Sequence, residues 1–305
     1  MKKNIALIAM VIWVGVSSVE GQIVKPDTTS SWKRKLIFNL NLNQASFSSN
    51  WKSGGVNAIG FTSLFNYKFN YKKNRDSWDN EIDLLYGFVN NEGQGFRKTV
   101  DRIYLDTKYG YELSKKWGLF ASLNFQSQFS KGFKYEDDAN NVEQEYLISD
   151  FLAPAFITGS IGFEYHPVEY FKLRLSPFSP RLTIVQDPTR FTQTVGPQPY
   201  GVDSTETTRF EVAAFQAIAE FQKDIAENVN LKWRYMMYAN YETLDLDKID
   251  HRFDLTLTGK VNRFIAVSLG GILIYDYDQD TEVQLAQSLT LGFTYSFQNF
   301  EEPKK

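Results

Sequence analysis

The sequence predicts an all-β chain that closes as a transmembrane antiparallel up-and-down β-barrel of about twelve strands, after a cleaved signal peptide. Three observations predict it. Apolar and polar residues alternate with period two along most of the chain. The connections between these segments alternate between short and long. The N-terminus reads as an export signal, and no later apolar run approaches the ~20 residues of a spanning helix.

The export signal comes first. Lys2 and Lys3 form a positive start, Ile5 to Val16 is apolar, and the small residues Ser17, Ser18 and Gly21 follow. This order predicts cleavage between Gly21 and Gln22. The 305 residues include no cysteine, so an exported chain of this kind has neither a disulfide framework nor a thiolate metal site. The expected organisation is a signal peptide over residues 1–21, a short periplasmic segment over 22–34, the barrel over 35–297 and a tail over 298–305.

The strands follow. Ile59, Phe61, Phe65, Tyr67, Phe69 and Tyr71 share one face of an extended segment, with Gly60, Thr62, Asn66, Lys68 and Asn70 on the other. A helix would scatter Ile59 and Phe69 around its circumference. The same alternation returns with Trp78, Ile82, Leu84, Tyr86 and Phe88, and again with Leu231, Trp233, Tyr235 and Met237. The last segment carries Leu289, Leu291, Phe293, Tyr295 and Phe297 against Ser288, Thr290, Thr294 and Ser296. About twelve such segments begin near residues 35, 56, 78, 100, 117, 150, 170, 208, 229, 251, 264 and 282. The two least regular lie near 170–185, where Pro177 and Pro180 intervene, and near 208–222, where alanines from Ala213 to Ala219 blur the faces.

The connections at 72–77, 114–116, 166–169, 223–228 and 262–263 are short and polar. Between them fall longer loops at 46–55, 90–99, 130–149, 186–207, 242–250 and 276–281. Short periplasmic turns and longer outer loops mark a membrane barrel, and both termini then fall on the short-turn side, which requires an even strand count. A soluble sandwich or lipocalin-like barrel would also alternate, but with its apolar face inward. Aromatic residues make up 16% of this chain, more than the inside of a small closed barrel holds. On an outward face they form belts at headgroup depth. Trp51, Tyr86, Tyr241 and Tyr275 are expected at the outer rim, and Tyr71, Trp78, Trp117, Tyr165, Phe171 and Phe264 at the inner rim.

Several blocks resemble a known family: NWKSGGVNAI from Asn50, YKKNRDSWDNEIDLLYGFV from Tyr71, FRKTVDRIYLDTKYGYELSKKWG from Phe96, FQSQFSKGFKY from Phe125, ISDFLAPAFI from Ile148 and LIYDYD from Leu273. They resemble the family of outer-membrane proteins catalogued as domain of unknown function 3078, with a departure at SPFSPR from Ser176 to Arg181. The resemblance implies an outer-membrane barrel of a Gram-negative bacterium and brings no activity with it. Leu291, Phe293, Tyr295 and Phe297 are similar to the C-terminal signal read by the barrel-assembly machinery, so that machinery and outer-membrane lipid are the expected partners.

Chemistry-bearing patterns are few. A net charge of -3 without a basic stripe excludes a nucleic-acid partner. Neither GxSxG nor HExxH occurs. His251 is followed two residues on by Phe253, where a lipid-acting barrel enzyme would carry a serine. No enzyme activity and no cofactor are expected, and a lipid-acting enzyme is a distant alternative. Asp276, Asp278 and Asp280 are weak candidates for a divalent cation, since their spacing lacks an EF-hand's glycine and its terminal acid. They read better as a solvated hairpin.

The polar face is the informative one. Its candidate lumen-lining residues are Lys68, Asp79, Glu81, Asp83 and Arg102 in the first half, and Lys108, Lys232, Arg234 and Asp254 after them. Hairpin geometry is expected to bring Glu81 and Asp83 near Lys108, and Asp254 near Lys232 or Arg234. Such a lumen is either a selective polar pore or a self-neutralising network that fills a narrow barrel. Twelve strands lie between packed eight-stranded and open sixteen-stranded barrels, and the loops near 130–149 and 186–207 are long enough to fold inward. The expected function is a narrow channel or transporter for small polar solutes. The alternative is a closed barrel with a structural or interaction role at the cell surface.

Overall fold

Each alternating segment forms a strand in the computed structural model, which describes residues 30–47, 56–243 and 245–300. The expected signal peptide, most of the first outer loop with Trp51, and the end of the tail lie outside the described residues. In chain order the strands are β1 (Trp32–Ala45), β2 (Ala58–Lys73), β3 (Asp76–Asn91), β4 (Gly95–Glu112), β5 (Trp117–Ser127), β6 (Gly132–Asp137), β7 (Glu143–Ser149) and β8 (Ala155–Val168). They continue as β9 (Phe171–Phe178), β10 (Arg181–Ile184), β11 (Thr208–Glu211), β12 (Ala214–Ala226), β13 (Val229–Asn240), β14 (Asp250–Lys260), β15 (Ile265–Asp276) and β16 (Asp280–Gln298).

Twelve of these close a ring of antiparallel neighbours: β1 to β5, then β8, β9 and β12 to β16, which returns to β1. β16 pairs with β1 from Lys35↔Gln298 to Asn41↔Gly292, and β8 pairs with β9 to complete the opposite side. Closure leaves no ring strand with a bare edge along its whole length, which is how a sheet satisfies its backbone groups in hydrocarbon. β1 begins three residues before the expected boundary and β16 ends one residue after it.

The irregular segments have a common cause. Pro177 and Pro180 lack the N–H that a ladder needs, so they split one strand path into β9 and β10. The β8–β9 register shifts beside the turn, between Tyr165 and Val168, and again at the bulge opposite Ile161 to Phe163. Gly162 sits at that bulge, where a Cβ would run into the Leu175 carbonyl, so only glycine lets β9 approach β8 there. The next path breaks beside it, between β11 and β12, and keeps one register across the break. The SPFSPR departure, where a more glycine-containing turn is expected, is therefore a bulge within a strand path.

Two expected outer loops are shorter than read. β3 and β4 run through residues 90–99 and turn only at 92–94, with Gly93 at φ 87 and Gly95 at φ 71. β15 and β16 run up to the turn at 277–279. The polar composition of these stretches marks where the strands rise above the bilayer, not where pairing stops.

Burial is inverted relative to a soluble barrel. Asp83 and Lys108 are 7% and 4% exposed, whereas Ile161 and Leu289 are 59% and 71% exposed. Leu105, Leu123, Phe163, Leu269 and Leu291 are exposed on the same outward face. Rings cluster at its two ends. Trp32 meets Tyr71 and Trp78 at the periplasmic end, as Trp117 meets Tyr165 and Phe264 meets Phe293. At the other end Tyr86 meets Phe129, and His251 lies between Tyr235 and Tyr275. An even-numbered closed barrel with an apolar, ring-banded exterior is an outer-membrane β-barrel. No helix among the described residues is long and apolar enough to cross a membrane; the strands do so.

The two long outer loops are ordered. β6 and β7 form a hairpin of their own, tied to β4 by an Arg97–Glu143 pair and by Arg97 stacked 4.1 Å over Tyr135. Residues 186–207 make short helical turns at Pro188–Phe191 and Pro199–Gly201. A small hydrophobic core of Ala153, Val185, Phe191, Tyr200 and Val202 holds them down. Thr194 donates to the Leu147 carbonyl at 2.6 Å, and Arg190 pairs with Asp150 at 2.8 Å. Burial acts to raise the Asp150 carboxyl, but Arg190 and the Phe151 N–H outweigh it and hold the group below its ordinary range. Arg209 reaches Asp278 at 2.5 Å, in the turn between β15 and β16, so this segment bridges part of the outer mouth as a cap.

Candidate functional site

Alternation fixes which side chains point inward, and contacts between strands that are not neighbours prove it. Arg102 on β4 lies 3.7 Å from Asp254 on β14, halfway round the ring. Arg234 on β13 donates to the Tyr104 hydroxyl of β4 at 2.6 Å. Arg174 on β9 lies 3.6 Å from Asp106 on β4. These contacts can only pass through the lumen. They therefore place the matching phase of each strand inside.

Three linked groups make a belt across the lumen. In the first, Asn66 donates one amide hydrogen to Glu81 at 2.7 Å and the other to Asp83 at 2.8 Å. Lys68 pairs with Glu81 at 3.3 Å, and Arg102 pairs with Asp83 at 2.5 Å. Arg102 then carries the network across to Asp254, which Arg252 grips with two hydrogen bonds of 2.8 and 2.9 Å. In the second group, Glu220 accepts from Arg174 at 3.3 Å and lies 3.7 Å from Arg234. In the third, nearer the periplasmic end, Lys108 is held between Asp79 at 3.2 Å and Glu164, and Glu164 also meets His166 at 2.6 Å. Charges taken out of water are tolerable only when paired in this way.

All nine expected lumen residues lie on inward phases, but the pairings differ from expectation. Lys108 pairs with Asp79 and Glu164, not with Glu81 or Asp83, because the β3–β4 register sets Asp79 opposite Lys108 and Glu81 opposite Asp106. Asp254 faces Arg234 in register, yet its ion pairs are to Arg252 and Arg102. Lys232 is outside the belt's ion pairs among the described residues and is exposed, as is its register partner Thr256. Both lie on the inward phase, so part of the lumen wall beside the belt is open.

Tyr104, Glu164, Arg174 and Glu220 were missed from the expected set. Arg174 and Glu220 lie on the strand paths whose phase the prolines and alanines blur. Reading Lys172, Arg174 and Ser176 against Phe171, Leu173 and Leu175 recovers that phase. Tyr104 reads as an ordinary aromatic until a cation is seen to reach it.

Above the belt the mouth encloses a cavity of about 310 Å³ beneath the cap. Asp276, Asp278 and Asp280 do not converge beside it. Asp276 accepts from the Asp278 N–H and from Gln279, Asp278 pairs with Arg209, and Asp280 accepts from the Glu282 N–H. Among the described residues no three His, Cys, Asp or Glu groups are placed to hold a metal ion. His251 accepts or donates through Nδ1 to the Tyr235 hydroxyl at 2.8 Å, with aromatic neighbours on both sides.

Residues 42–133 match the family described as protein of unknown function (DUF3078), so the resemblance holds over that stretch; the blocks from Ile148 and Leu273 lie beyond it. No curated protein matches the chain. Among solved structures, an outer-membrane channel from Pseudomonas putida F1 is 11% identical with a TM-score of 0.39, over 92% of this chain and 100% of that one. The NanC porin is 6% identical at 0.40, over 85% and 98%. The translocator domain of the autotransporter NalP from Neisseria meningitidis is 10% identical at 0.38, over 97% and 98%.

Proposed function

We propose, for a chain that carries the DUF3078 sequence over residues 42–133 and closes as an outer-membrane barrel, that it is a narrow channel for small polar solutes. The observation that carries this reading is the partial filling of the lumen. A cavity opens above the belt, and beside the belt Lys232 and Thr256 are exposed on the inward phase. The contacts that cross the lumen, Arg102–Asp254 and Arg234–Tyr104, run between side chains. Side-chain pairs open far more readily than a hydrogen-bonded strand ladder, so a solute that offers its own hydrogen bonds passes such a belt one pair at a time. Lys68, Asp79, Glu81, Asp83, Arg102, Lys108, Lys232, Arg234 and Asp254 then form the lining that sets selectivity.

The second reading, a closed barrel with a surface role, draws on the same crossings, since both tie opposite walls together. Conductance in planar lipid bilayers separates the two. The folded chain is expected to give small ohmic steps. Arg102→Ala with Arg234→Ala removes these two crossings, leaves Arg174–Asp106, and is expected to raise the step size about twofold or more, as a constriction that sets the resistance is widened. A folded, heat-modifiable barrel that stays silent with and without the two arginines overturns the channel reading and leaves the closed one.

A further inference from the structure

The cavity beneath the cap has a feature that the lumen belt does not explain. Its walls hold two buried polar atoms without partners among the described residues, Nε of Arg181 and the hydroxyl of Tyr238. Arg181 is 8% exposed and Tyr238 is 2% exposed. Burying such groups unpaired is costly, and native chains rarely do so without a role for them. Both line a space at the small end of the range for ligand pockets.

The remaining wall chemistry narrows the occupant. Arg181 is fixed flat, 3.3 Å from the Tyr238 ring centroid and 5.5 Å from that of Phe156, and it donates to Asp250 at 2.8 Å. Arg209 is shared between Glu211 at 3.2 Å and Asp278 at 2.5 Å. Lys248 lies 5.6 Å from the Tyr277 ring centroid, and Asp276 accepts from the Asp278 N–H and from Gln279. Each charge on the walls is therefore already engaged, by an ion pair, a ring or hydrogen bonds, and an ionic ligand would have to compete with those contacts. What the walls still offer is hydrogen bonding and a ring face: Nε of Arg181, the Tyr238 hydroxyl, the Gln198 amide and the exposed ring of Tyr277. That combination suits a molecule with many hydroxyls, an apolar ring face and no charge.

We infer that the chamber between the cap and the belt binds a neutral saccharide of one or two rings. Arg181 and Tyr238 hydrogen-bond its hydroxyls, and an aromatic wall takes its apolar face. The inference does not require the barrel to conduct.

The test is ligand-observed NMR and calorimetry on the folded barrel in an amine-oxide detergent, because glycoside detergents carry the headgroup in question. Glucose, galactose, N-acetylglucosamine, maltose and lactose are the neutral probes; glucuronate and glucosamine are the charged ones. At least one neutral sugar is expected to bind. Tyr238→Phe, which removes only a hydroxyl and keeps the ring against Arg181, is expected to weaken it about tenfold with heat-modifiability unchanged. Asp250→Asn, which loosens Arg181, is expected to weaken it as well. The inference is overturned if no neutral sugar binds the folded barrel, if Tyr238→Phe leaves the affinity where it was, or if a charged sugar binds more tightly than every neutral one. A silent conductance experiment leaves this result standing, so the two readings fail separately.

Discussion

Glu81 and Asp83 occupy successive inward positions of β3, and a single amide, Asn66, donates to both. Two carboxylates so close repel each other, and Lys68 and Arg102 balance them from either side. In the channel reading this pair sets the sign of the ion admitted. At roughly 7 Å in a water-filled lumen one charge is worth about 0.6 kcal/mol, or about threefold in relative permeability. Glu81→Gln with Asp83→Asn is therefore expected to shift selectivity toward anions by roughly tenfold, read from reversal potentials in a salt gradient. An unchanged reversal potential removes both residues from the lining. The membership of such a site was legible in the sequence, because alternation assigns a face to every residue of a strand. The pairings were not, because they depend on register. A shift of two residues keeps every face and changes every partner: the β3–β4 register brings Lys108 to Asp79 and leaves Glu81 to Lys68.

The cap is the element that sequence patterning described least. Residues 186–207 carry no period, so they read only as a long loop, yet with Val185 just before them they hold the largest fully buried apolar side chains among the described residues, Phe191, Val202 and Pro199. Their core forms with residues 147–153 and is separate from the lipid-facing wall. Ion pairs at Arg190–Asp150 and Arg209–Asp278 fasten it at two sides. Gly201 takes φ 75 directly against the Asp278 carboxylate, a place where a Cβ does not fit. Because this core is independent of the ring's ladders, damage to it is expected to stay local. Phe191→Ala should cost the cap about 3–5 kcal/mol. Trypsin is then expected to cut near Arg190 and Arg209 much faster than in the unaltered chain, while the barrel keeps its heat-modifiable mobility. A variant that resists trypsin as before would show that the cap does not depend on Phe191. One in which the barrel itself unfolds would show that cap and wall are a single cooperative unit.

At the scale of the whole molecule, twelve strands and an even count followed from loop alternation alone, since both chain ends must return to the side of the short turns. What no alternation reports is how the ends meet. β1 pairs with β2 over fourteen residues, from Trp32↔Tyr71 to Ala45↔Ala58, but with β16 over only seven, from Lys35 to Asn41. The seam between the first and last strands is thus half as long as the ladder beside it, and it lies toward the periplasmic side. Its geometry invites a covalent test. The Asn299 N–H donates to the Arg34 carbonyl, so even-numbered β1 residues exchange backbone hydrogen bonds with β16 and odd-numbered ones do not. Asn39 and Thr294 are therefore a non-hydrogen-bonded pair with Cα atoms ~4.5 Å apart, within disulfide reach. Their side chains already meet inside the barrel, where the Thr294 hydroxyl donates to Asn39 at 2.7 Å. The chain has no cysteine of its own, so Asn39→Cys with Thr294→Cys has one way to cross-link. Oxidation of the folded barrel is expected to join the two cysteines within each chain. The boiled, non-reduced chain should migrate differently from the reduced one, and the resistance of the fold to heat should rise. The loop-entropy estimate for so long a closed loop is about 5 kcal/mol. Failure to cross-link in the folded state, with ready cross-linking after denaturation, would mean that β1 and β16 do not meet in this register and that the ring closes elsewhere.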